Sequence, residues 1–111
     1  MEKQLAISPS ELQTVKQILK QHLPDAVHVW VYGSRANGNA KRFSDLDLAI
    51  ELEGGKTLDF GLLAQLAMAF DESDLPWKVD ILDINAAPES FLETARSGVL
   101  LDAKAVSAVI Y

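Results

Sequence analysis

A chain of 111 residues with ten basic and sixteen acidic side chains carries a formal net charge of −6 and contains no cysteine. That length fits a single domain over residues 1–111, and the acidic balance argues against general binding to nucleic-acid phosphates. Without thiols there is neither a disulfide framework nor a thiolate metal site; no leader pattern and no run near 20 apolar residues is present, so a cytoplasmic protein without a membrane segment is expected.

The first element is announced by its cap. In "SPSELQTVKQILKQHL" Ser8 has the side chain of an N-cap, Pro9 suits the first helical position, and Glu11 completes a capping box. Leu12, Val15, Ile18, Leu19 and Leu23 then share one face at helical spacing, and Pro24 ends the run. "VHVWVYG", from Val27 to Gly33, is β-branched and aromatic between turn-forming pairs, which predicts a strand. "DLDLAIEL" alternates: Leu46, Leu48, Ile50 and Leu52 point one way, Asp45, Asp47, Ala49 and Glu51 the other. One face therefore packs on a core while the other stays open.

Gly54-Gly55 makes a turn, and "TLDFGLLAQLAMAFDES" predicts a second helix with Leu58, Leu62, Leu66 and Phe70 inward. "WKVDILDI" predicts a third strand, and a short helix runs from Pro88-Glu89 to about Arg96, stopped by Gly98. The apolar tail "GVLLDAKAVSAVIY" fits strand or helix, and part of it is expected to meet a partner subunit. The pattern is an α/β (α+β) domain: a small mixed sheet of three to four strands backed by helices.

The chemistry lies between Val31 and Ile50. Asp45 and Asp47 stand two residues apart on one strand face, their Cβ atoms roughly 6–7 Å apart. Aspartate is depleted in strands, and like charges about 4 Å apart repel by roughly 1 kcal/mol in water and nearer 4 at a partly buried site. A divalent cation relieves that repulsion, and Mg²⁺ favours hard carboxylate oxygens together with substrate phosphates. Asp80 interrupts the apolar run Val79-Asp80-Ile81-Leu82. If its strand lies beside the one carrying Asp45 and Asp47, three carboxylates converge and suffice for two metals.

Gly33-Ser34 ends the preceding strand. Glycine permits a sharp turn and a close ligand approach, and the outward N–H groups with the serine hydroxyl suit phosphate oxygens. Arg35, or Lys41 with Arg42, has the charge to neutralise outer phosphates, arginine in bidentate fashion. A phosphate cradle beside a metal site makes a nucleotide site.

"GSRANGNAKRFSDLD" resembles the signature of the polymerase-β-like nucleotidyltransferases: Gly-Ser, ten intervening residues, then Asp-x-Asp. Together with the later "VDIL" and the short length, the stretch from Val27 to Ile84 looks most like the minimal nucleotidyltransferases (MNT), commonly the antitoxin partners of HEPN-domain toxins. The resemblance implies a nucleotidyltransferase-like fold and transfer of AMP from ATP, with Mg²⁺, to a hydroxyl. It implies metal binding by Asp45, Asp47 and Asp80, with Asp80 helping to deprotonate the acceptor, and triphosphate binding by Gly33 and Ser34. It also implies a HEPN toxin tyrosine as acceptor and a hetero-oligomer with that toxin.

Plainer roles stand beside these. Asp45 alone suits a turn after Ser44, and Glu51 and Glu53 read as solvated charges. Asp83, on the opposite face from Asp80, reads as a surface or turn residue. Arg35, Lys41 and Arg42 each have solvated readings. His22 and His28 lack metal-ligand spacing, Trp30 reads as packing, Trp77 fits core or rim, and Tyr32 fits either the core or the nucleotide's side. A non-enzymatic module that masks its partner by contact, or a nucleotidyltransferase for a small molecule, remains the alternative.

Overall fold

The computed structural model describes residues 5–24 and 27–101. Helix α1 (Pro9–His22) begins where its cap demands: Ser8 Oγ accepts from the Glu11 amide at 3.2 Å, and the Ser8 amide donates to Glu11 Oε1 at 2.9 Å. Val15, Ile18, Leu19 and Leu23 go into the core, with Leu12 partly buried against it. Full burial of such side chains contributes about 1.5–3 kcal/mol each. Lys16 shares the buried face, and burial pulls its ammonium below the usual lysine range. Its alkyl stem fills space that an apolar residue would otherwise take.

Strand β1 (Val27–Tyr32) leads through Gly33 into the short helix α2 (Ser34–Asn37), and β2 spans Leu46–Leu52. Helix α3 (Phe60–Asp71), capped by Asp59 through the Gly61 amide, precedes β3 (Val79–Asp83). Helix α4 (Glu89–Arg96) and the two-residue strand β4 (Val99–Leu100) complete the described chain. Short 3₁₀ turns occupy Glu53–Gly55 and Ile84–Ala86. Ten tail residues, 102–111, lie outside the described residues, and with them most of the segment expected to meet a partner.

The sheet is mixed, in the order β3-β2-β1-β4. β2 runs antiparallel to β1 and parallel to β3, because α3 carries the chain back to the starting edge. β4 pairs antiparallel with the other edge of β1, where Leu101 N donates to Val29 O at 2.5 Å. The ambiguity of the tail resolves in part: Val99 and Leu100, just after its opening Gly98, add a fourth strand.

Alternation decides which face is which. Val27, Val29, Val31, Leu46, Leu48 and Ile50 form the main core with residues of α1 and α3. The opposite face is less open than the sequence suggests. Ala49 is fully buried in a second cluster with Ile84 and Ala95, against which Trp30, Tyr32, Leu82 and Leu92 pack. Helix α4 therefore covers the middle of the face that was expected to stay open. A side chain as small as Ala49 accommodates a helix there, and uncovered polar groups are left towards the Asp45 end.

Candidate active site

Three adjacent strands put one residue each into a single row. Tyr32 stands opposite Asp47 across the β1–β2 pairing, and Asp47 stands opposite Asp80 across β2–β3. Neighbouring strands lie about 4.8 Å apart, so the Asp47 and Asp80 carboxylates are neighbours on one face. Asp45 precedes the β2 ladder, which begins with Leu46 N donating to Lys78 O at 2.8 Å. Asp45 and Asp80 are exposed and Asp47 is half-buried. Among the described residues no three His, Cys, Asp or Glu side chains close around one point in the manner of a preformed metal cage. The expected triad is thus a close pair, Asp47 and Asp80, with Asp45 beside it at the strand entrance.

The charges act on one another. Burial raises the Asp47 carboxyl above the usual carboxylate range, and the negative charges of Asp80 and then Asp45 raise it further. Burial likewise raises the Tyr32 phenol, with Asp47 and Asp80 adding to the effect. The row is therefore negative and incompletely compensated, and its oxygens are the hard donors that a small divalent cation prefers. That donor chemistry fits Mg²⁺, with two carboxylates directly available and a third within reach of the same field. Tyr32 also meets Phe91 of α4 edge to face, with ring centroids 5.7 Å apart, which fixes the phenol beside the carboxylates.

Gly33 is where the row meets the turn. Its φ of +76° is a left-handed value, and a Cβ at this position would overlap Asp47 Oδ2. Ser34 then opens α2, whose first turn bends back so that Ala36 N and Asn37 N donate to Gly33 O at 3.0 and 3.1 Å. The amides of Ser34 and Arg35, at the start of that turn, have no carbonyl within the helix to reach. Turn and carboxylates are thus neighbours, as a phosphate cradle beside a cation site requires.

Arg35 is displaced from its expected role. The residue is buried, with its guanidinium 4.5 Å from the centre of the Trp77 ring. Its Nε donates to Ser44 O at 2.9 Å, Nη1 to Ala6 O at 2.6 Å, and Nη2 to Arg42 O at 3.2 Å and Lys41 O at 3.5 Å. A guanidinium engaged with four backbone carbonyls braces the 38–44 loop instead of facing outward to phosphate. Trp77, left between core and rim by the sequence, belongs to the core beneath it.

Asp83 is the second revision. It is buried, accepting from Leu58 N at 2.7 Å through Oδ2 and from Asn85 N at 3.1 Å through Oδ1. The sequence lacked any sign that the segment before α3 would return to this strand end. Nor did it reveal the alignment of Tyr32 with the carboxylates, because register between strands is a tertiary property.

Residues 13–104 match the family described as "Polymerase beta, Nucleotidyltransferase". Over 93 residues, 84% of this chain and 79% of the relative, the sequence is 52% identical to a Haemophilus influenzae (strain ATCC 51907 / DSM 11121 / KW20 / Rd) protein named "Probable protein adenylyltransferase MntA". The fold matches a chain in a crystal structure of a toxin–antitoxin with AMP-PNP at a TM-score of 0.65. That chain is 24% identical, and the match covers 78% of this chain and 68% of that one.

Proposed function

The chain belongs to the polymerase-β nucleotidyltransferase family and is a nucleotidyltransferase, and from that premise we propose that it transfers AMP from ATP to a tyrosine hydroxyl of a partner HEPN toxin, acting as a cytoplasmic antitoxin. The observation that carries this reading is the Asp47–Asp80 pair set directly against the Gly33-Ser34 turn. A relative named as a protein adenylyltransferase supports AMP transfer to protein, and a related fold in a toxin–antitoxin structure with AMP-PNP supports the toxin and the nucleotide.

Each residue has a part in the reaction. Gly33 and Ser34 hold the triphosphate by backbone amides and a hydroxyl. Asp45, Asp47 and Asp80 hold Mg²⁺, which when bound offsets charge on the phosphates and on the attacking oxygen. Asp80 also draws the proton from the acceptor hydroxyl. The acceptor oxygen forms a bond to the α-phosphorus, the bond from that phosphorus to the bridging oxygen breaks, and pyrophosphate departs.

The test is transfer of label from α-labelled ATP to the protein encoded in the adjoining reading frame, with and without Mg²⁺. Label on a tyrosine that disappears on chelation, and in Asp45→Asn and Asp47→Asn variants, is the expected result. Toxin neutralised with no label, and neutralised equally by both variants, would instead mean masking by contact.

A further inference from the structure

The loop between α2 and β2 is built to hold one turn rigid. Ser44 N donates to Lys41 O at 3.1 Å, which closes a turn with Arg42 and Phe43 at its corners, and Lys41 N donates to Ser44 Oγ at 2.8 Å. Beneath it, the buried Arg35 guanidinium holds the carbonyls of Lys41, Arg42 and Ser44 and is itself seated on Trp77. Surface loops do not require a buried arginine to exist, and this bracing removes freedom that would otherwise be lost on binding.

What the turn displays is a cation beside an aromatic ring. Phe43 is 68% exposed, and the Arg42 guanidinium lies 5.2 Å from its ring centre. Lys41 and Arg42 are both exposed, on a chain whose net charge is −6. Phe43 stands only two residues before Asp45, so the display sits at the rim of the carboxylate row. Phenylalanine and arginine on a rigid support are the residue types that anchor protein interfaces.

We propose that the Lys41–Ser44 turn is the docking element for the protein acceptor, engaging a surface that pairs a carboxylate with an apolar hollow beside the target hydroxyl. The inference rests on the transfer reading above for the identity of the acceptor. Charge complementarity favours an acidic partner surface over nucleic acid, since the rest of this chain repels phosphate backbones. A triphosphate would satisfy Arg42 but leave the exposed Phe43 ring without a counterpart. A partner protein uses both. Docking here also brings the acceptor to the carboxylates without a separate acceptor-binding domain.

The test separates docking from chemistry. Binding of the protein encoded in the adjoining reading frame is measured by calorimetry without nucleotide, for the wild type, Phe43→Ala and Arg42→Glu. Binding of AMP-PNP with Mg²⁺ and steady-state transfer are measured in parallel. Phe43→Ala is expected to weaken partner binding about tenfold or more and to raise the acceptor KM to match. Its kcat and AMP-PNP affinity are expected to stay within about twofold of wild type. Arg42→Glu is expected to weaken partner binding similarly. Unchanged partner affinity in Phe43→Ala overturns the proposal. So does an Arg42→Glu variant that loses AMP-PNP affinity while holding its partner, because the turn would then be a phosphate clamp. No binding by the wild type overturns it as well. A wild type that binds but transfers nothing defeats the transfer reading alone, and the binding data still decide the turn.

Discussion

The Asp47 carboxylate lies so close to the α-carbon of Gly33 that any β-carbon there would overlap its Oδ2 atom. Two constraints therefore meet at Gly33: a left-handed φ and a neighbour that leaves no space. Gly33→Ala is expected to destabilise the fold by about 1–3 kcal/mol and to displace the Asp47 side chain, with loss of transfer activity. Because part of the penalty comes from the carboxylate, it should shrink in an Asp47→Ala background. A double-mutant cycle read by denaturant unfolding should give a coupling of about 0.5 kcal/mol or more. Strict additivity would mean that only the backbone conformation matters at this position.

Asp47 itself is kept at a cost to stability. Its carboxyl titrates above the unfolded value because of burial and the charges of Asp80 and Asp45. A raised folded-state value means that the protonated form suits the fold, so the stabilisation is complete below the unfolded value near 3.9 and is lost as pH rises through the folded one. Asp47→Asn should therefore melt a few degrees higher than wild type at pH 7, with the advantage vanishing as pH falls below about 4. The same substitution should lower the transfer rate by about 100-fold or more. A melting temperature at pH 7 that falls instead would contradict the electrostatic account.

Arg35 gives an opposite pairing of stability and function. Lysine retains the charge but not the planar fork that reaches the Ala6, Lys41, Arg42 and Ser44 carbonyls. Arg35→Lys is expected to cost about 1–3 kcal/mol, since a buried cation loses its planar fork and part-buried carbonyls lose donors. At a temperature where the variant is folded, AMP-PNP affinity should change less than stability does. Nucleotide affinity lost with the melting temperature intact would restore the phosphate role.

How much of this was legible in the sequence depends on the range over which each feature is determined. The start of helix α1 was readable to the residue because Ser8, Pro9 and Glu11 act on their own backbone within one turn. Asp47 and Gly33 stood out because carboxylates and a glycine sit where strands disfavour them. That Asp80 faces Asp47 required the parallel register of β2 and β3, and a shift of one residue would have turned Asp80 to the other face. Arg35 was misjudged for a related reason. Its neighbours Ala6 and Trp77 lie 29 and 42 positions away in a chain that gives no local sign of either contact. The covering of Ala49 by α4 was hidden because alternation predicts which way a side chain points and not what later packs on it.

Asp83 shows how a second carboxylate on β3 serves structure alone. It lies on the core side of the strand that exposes Asp80, and its two oxygens take the Leu58 and Asn85 amides. Asn85 in turn donates from Nδ2 to Leu52 O at 3.1 Å and Lys56 O at 2.7 Å, so the pair ties the end of β2 and the approach to α3 onto β3. Asp83→Ala leaves a buried amide without its acceptor and is expected to cost about 2–3 kcal/mol. Asp83→Asn, which keeps one carbonyl oxygen, should cost about half as much. AMP-PNP affinity of the folded variants should stay close to wild type, because the row of Tyr32, Asp47 and Asp80 is on the other side of the sheet. Thermal melts and calorimetry on the two variants provide the check. A loss of nucleotide affinity larger than the loss of stability would mean that Asp83 takes part in the site after all.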